Sequence, residues 1–199
     1  MKTASVIQST VKGILGAAVL VAAGAVATPV KYNVDPAHTY PSFETDHMGG
    51  LSTWRGKFNT TSGTITLDKE AKTGSVDIKI DTASIDFGHE KMNTHTKSPD
   101  MLDVEKYPTA TYKGKLTGFK DGNPTAVEGT LELHGVSKPV KLTINEFLCK
   151  QHPMSKKDVC GADAVGTFNR DDFGIDYGKN FGFQMDVTLR IQVEAAKAE

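Results

Sequence analysis

From Phe181 to Val193 the chain alternates without a break. Phe181, Phe183, Met185, Val187, Leu189, Ile191 and Val193 are apolar, and the residues between them are glycine, polar or charged. A period of two held over thirteen residues gives one oily face and one wet face, which is a strand pattern and not a helix pattern. At about 3.3 Å per residue such a strand runs roughly 40 Å, about twice the usual length. Sheets twist, and long antiparallel strands with one apolar face hide those faces by closing into a barrel.

The rest of the chain keeps the same rhythm. Val76, Ile78 and Ile80 alternate with charged residues, as do Leu131 and Leu133, and Val140, Leu142 and Ile144 with polar neighbours. Gly56, Gly63 and Gly129 fall inside strand segments, where glycine marks bulges and bends. The pattern predicts an all-β fold with about eight antiparallel strands. One or two short helices are expected between His89 and Val104, with Ser98 as N-cap and Pro99 at the first helical position. The tail from Ala195 to Glu199 reads as frayed and solvated.

The first 27 residues differ from the remainder. Lys2 and Lys12 precede an uncharged run, Gly13 to Ala27, that ends Ala25-Val26-Ala27. This is the layout of a secretory signal cleaved after Ala27, and the run is shorter than the roughly 20 residues of a membrane span. The expected mature domain is 28–199, exported to the periplasm, with no stable membrane insertion. Removing Lys2 and Lys12 from 23 basic residues against 24 acidic ones leaves a charge of −3. With no basic patch, nucleic-acid binding is not expected.

Cys149 and Cys160 frame ten residues that include His152. An even cysteine count in an exported chain points to a disulfide, which for so short a loop contributes about 3 kcal/mol. The rival reading is a metal site with His152 as third ligand, at a spacing that fits no usual zinc pattern.

No nucleophile elbow, phosphate loop, zinc-protease helix or dinucleotide fingerprint is present. His38, His47, His89, His95, His134 and His152 read as loop and surface residues, and Asp171-Asp172 and Asp100/Asp103 as turn and cap acids. No catalytic residue, metal or cofactor is expected. The aromatic residues, Phe43, Trp54, Phe58 and Phe168 among them, either pack a dry core or line a ligand cavity. An eight-stranded barrel allows both.

Five stretches carry a resemblance: Tyr32 to Thr39, Phe43 to Gly49, Ser98 to Pro108, Gly129 to Val140, and Arg170 to Ile175. In order and over nearly all of the mature chain they resemble the YceI-like family of bacterial exported proteins. The resemblance implies an extended lipocalin-like eight-stranded barrel that binds a long isoprenoid chain or another amphiphile in the periplasm. It is also compatible with a homodimer.

On that reading the cavity is lined by Phe43, Trp54, Phe58, Val76, Ile78, Ile80, Leu131, Leu133, Val140, Leu142, Ile144, Phe168, Phe183, Met185, Val187, Leu189 and Ile191. His47, His95 and Arg170 would meet the ligand's head group. The chain departs from the family pattern at Met92-Asn93-Thr94-His95-Thr96, where an Arg-Asp pair is usual, and at Met101-Leu102, where paired phenylalanines are usual. Losing that arginine favours a neutral quinone-like or amide-like head over a pyrophosphate. The cysteine pair would belong to a subset of the family and clamp a longer loop at the barrel mouth. Two other readings compete: a lipid- or quinone-directed enzyme using His47 or His95, and a structural protein with a packed interior.

Overall fold

The computed structural model describes Met1 and residues 28–199, so the expected leader, Met1 apart, lies outside the described residues. The strands are β1 (Val30–Val34), β2 (Tyr40–His47), β3 (Ser52–Phe58), β4 (Thr61–Asp68), β5 (Thr73–Asp81), β6 (Ile85–Asp86), β7 (Thr109–Thr117), β8 (Ala126–Leu133), β9 (Val136–Gln151), β10 (Asp158–Asn169) and β11 (Asp186–Lys197), with helix α1 (Glu90–Lys97) between β6 and β7.

These segments are eight strands, three of them broken. β1 and β2 both run antiparallel to β11, β4 and β3 lie on their other side, and β5 and β6 continue beyond those. The first break is the Asp35–Thr39 turn, where Pro36 removes a ladder donor and the Asp35 carboxylate accepts the Ala37 amide at 2.9 Å. The ring β1-β4-β5-β7-β8-β9-β10-β11 closes where Tyr32, Asn33 and Val34 pair with Lys197, Ala196 and Ala195. The expected eight-stranded antiparallel barrel is the fold observed, and of the one or two short helices expected, one α-helix is present among the described residues.

Glycine permits two close contacts between strands. A Cβ at Gly63, where φ is +147°, would stand 2.2 Å from the Asp77 carbonyl oxygen. At Gly129 a Cβ would meet the Tyr112 ring at 2.6 Å. The ring crosses that gap, and its hydroxyl donates to the Val140 carbonyl at 2.8 Å.

A bulge in β9 decides which of its side chains face inward. Ala164 pairs with Ile144 and Asp163 with Glu146, which leaves Asn145 unmatched. Asn145 Nδ2 is pinned to Asp163 Oδ1 at 3.1 Å. One extra residue exchanges the faces of a strand. Inward positions are therefore even up to Ile144 and odd afterwards, at Phe147 and Cys149. The Cys149–Cys160 disulfide links directly opposed residues of β9 and β10, with Cys160 buried in the core. It closes the barrel end remote from α1 and does not clamp a loop at the polar end, because the bulge turned Cys149 inward. His152 serves the hairpin turn instead, its Nδ1 accepting the Met154 and Ser155 amides.

Three further expectations are corrected. The last strand starts at Asp186, because Gly178 and Gly182 take left-handed conformations on either side of a 3-10 turn, and Phe181 is 78% exposed. That strand runs on to Lys197, so the tail is not frayed. Ala195 is 2% exposed and lies opposite both Val34 and Cys160. Finally, Ser98 ends α1 and does not begin a helix: His89 Nδ1 caps the N-terminus, and Pro99 holds Ser98 extended.

Candidate functional site: an apolar cavity with one polar end

The barrel is hollow. Its inward faces enclose a cavity of about 480 Å³, within the range of small-molecule sites. Every residue expected to line it does so except Val140 and Met185. Val140 is buried in the core beneath the Tyr112 hydroxyl that bonds its carbonyl. Met185 sits before β11 begins, where its carbonyl accepts the Arg170 amide, so strand alternation does not apply to it.

Sequence reading missed several lining residues. Ala110, Tyr112 and Leu116 of β7 share one parity and were legible as an inward face, although no site role was given to them. Phe147 was hidden by the bulge. Met92 and Thr96 of α1, with Met101 and Leu102 after it, close one end; the sequence marks both stretches as departures from the family pattern, but helix placement across a barrel end leaves no local signal that puts these four side chains in the lining.

Polar lining groups gather at that helix-capped end. His47 lies between Trp54 and Phe183, with ring centroids 5.3 and 5.6 Å away. His95 meets Tyr177 edge-on at 4.5 Å. Arg170, at the end of β10, is 7% exposed and donates to the carbonyls of Ile175 and Tyr177, both at 2.7 Å. It therefore fastens the segment leading to β11 across the cavity. Burial lowers its pKa from the ordinary value, against the opposing charges of Asp176, Asp171 and Asp46. The guanidinium has five N–H groups, and two protein carbonyls do not saturate it.

Two lining hydroxyls have no partner among the described residues: Thr96 Oγ1, in a residue 4% exposed, and Thr61 Oγ1, in a residue 2% exposed. Buried polar groups are normally satisfied, so these two are open for a ligand or water. Asp46 ties two loops together at the same end, its carboxylate accepting the amides of Gly49, Gly50 and Gln184.

The imidazoles at the cavity make aromatic contacts. Among the described residues the imidazole–carboxylate contact is His38 with Asp35, outside the cavity. His47 and His95 thus lack the orienting partner that a general base commonly has.

Residues 32–195 match the YceI-like domain family. Protein YceI of Escherichia coli O157:H7 is 32% identical over 192 residues, covering 96% of this chain and 98% of that protein. The crystal structure of the Campylobacter jejuni YceI protein is 26% identical, with a TM-score of 0.63 over 75% of this chain and 88% of that one. A structure described as a polyisoprenoid binding domain from Saccharophagus degradans shares the fold at 15% identity, with a TM-score of 0.58 over 85% of this chain and 99% of its own.

Proposed function

Because the chain belongs to the YceI-like domain family, we propose that its barrel takes up the hydrocarbon chain of an isoprenoid or similar amphiphile and carries or sequesters it in the periplasm, without covalent chemistry. The observation that carries this reading is the cavity itself: apolar over its length, polar at one end. Each buried methylene contributes about 0.8 kcal/mol, so a ten-carbon stretch supplies roughly 8 kcal/mol before ordering costs. A relative in fold is described as binding polyisoprenoids, which supports the same class of ligand.

The head group on this reading is a neutral hydrogen-bond acceptor of quinone, amide or hydroxyl type. Thr96 Oγ1 and the uncommitted N–H groups of Arg170 supply donors, while His47 and His95 supply ring surface and a polar edge. The acids around Arg170 already offset its charge, so a pyrophosphate is not needed to neutralise it.

Native mass spectrometry on protein exported and purified without detergent tests this. The expected result is a chain beginning at Thr28 with an added mass in the lipid range, and a His47→Ala/His95→Ala variant that carries the same added mass at lower occupancy, because the apolar wall supplies most of the affinity. Apo protein alone, with no lipophile raising its melting temperature, would overturn the reading.

A further inference from the structure

The cavity has a floor. Ile65, Phe147, Ala162 and Val193 line both the main cavity and a second space of about 20 Å³ beneath it, whose other walls include Tyr32, Leu67, Cys160 and Ala195. Phe147, Ala162 and Val193 face one another across β9, β10 and β11. The next inward layer down is Cys149, Cys160 and Ala195, the disulfide layer. Phe147 is the large side chain in the shared wall. The Asn145 bulge aims it inward, and Lys69 Nζ of the β4–β5 turn stands 5.4 Å from its ring centroid.

We infer that Phe147 sets the length of hydrocarbon the barrel accepts, and that this length is about three isoprene units. The inference rests on the ligand class proposed above and deepens it. The depth of the lining gives the length. Along β11 the lining runs from Val187 to Val193, about 20 Å of strand, or about 15 Å along a barrel axis tilted roughly 40° from it. An extended chain advances about 1.3 Å per bond, so about a dozen bonds, at roughly four per isoprene unit, fill that depth. A longer chain leaves its excess in water and gains no affinity from it. Removing the Phe147 ring would merge the upper cavity with the space above the disulfide and admit one more unit.

The experiment uses the delipidated full-length mature protein and three prenyl alcohols of increasing length, geraniol, farnesol and geranylgeraniol, with affinities read by displacement of a fluorescent lipophile. A buried methylene is worth about fourfold in affinity. Wild-type protein is expected to bind farnesol far more tightly than geraniol, and geranylgeraniol within about twofold of farnesol. In Phe147→Ala, geranylgeraniol should gain about tenfold over farnesol. Phe147→Trp, which keeps the floor filled, should instead weaken farnesol relative to geraniol, and it stands in if the alanine variant does not fold.

An unchanged length profile in both variants, or a tenfold preference for geranylgeraniol already present in the wild type, would overturn the floor and leave the carrier reading standing. Failure of the wild type to bind any of the three would overturn both.

Discussion

At the scale of single residues, Asp46 shows how one side chain holds the polar end in shape. The Gln184 amide, then those of Gly50 and Gly49, hold its carboxyl below the ordinary value of 3.8. A carboxylate whose pKa is depressed in the folded state adds stability at pH above the unfolded value and loses it as pH falls through the folded one. The tie between the β2–β3 turn and the segment entering β11 is therefore complete at neutral pH and is lost as pH falls below the ordinary carboxylate value. A carbon-detected titration should place the Asp46 midpoint below the ordinary carboxylate value, with the Gly49, Gly50 and Gln184 amide shifts following the same curve. A midpoint at or above that value would show that the loops are not joined through this group. None of this was legible in the sequence, where Asp46 is one acid among many and its partner Gln184 lies 138 positions away. His47, one residue on, is the residue the family resemblance offers for the head group, and the structure sets it between Trp54 and Phe183.

At the scale of elements, alternation was a sound guide wherever the chain is regular. β5, β8, the first half of β9 and β11 from Val187 onward turn inward the residues that the period of two selects. The guide failed where geometry changes without a change of composition. Phe181 continues the odd-numbered pattern, yet Gly178 and Gly182 bend the chain out of strand conformation around it and leave it exposed, while Phe183 reaches the cavity from outside any strand. In β9 the bulge at Asn145 reverses the inward face, and neither Phe147 nor the place of the disulfide can be read without it. The covalent bond itself was legible from cysteine count, but its location was not. Its effect on stability follows from loop length: with the cysteines 11 positions apart, replacing both by alanine should cost about 3 kcal/mol in the chain-entropy treatment, read as a lower urea midpoint. Uptake of farnesol by the folded variant should persist, since Phe147 stands between the ligand and the sulfur atoms. A variant with undiminished stability would show that the closed end is held by packing alone.

At the scale of the whole molecule, the fold class was readable because every strand obeys one rule, that its oily side faces a common axis. The closure was less readable, since the final residues look polar and small. Ala195 carries that closure, touching the first strand on one side and the disulfide strand on the other. Ala195→Asp would bury a carboxylate without a partner, an error that costs several kcal/mol, and it should abolish the dispersed amide spectrum of a closed barrel. A variant with native dispersion would show that the seam is peripheral to the fold. Since the first strand is latched by β11, a polypeptide in which β11 has not yet docked is an open greasy trough. Such long-range pairing is slow to form, and in that interval the surface destined to shelter another molecule's hydrocarbon is free to stick to anything nearby.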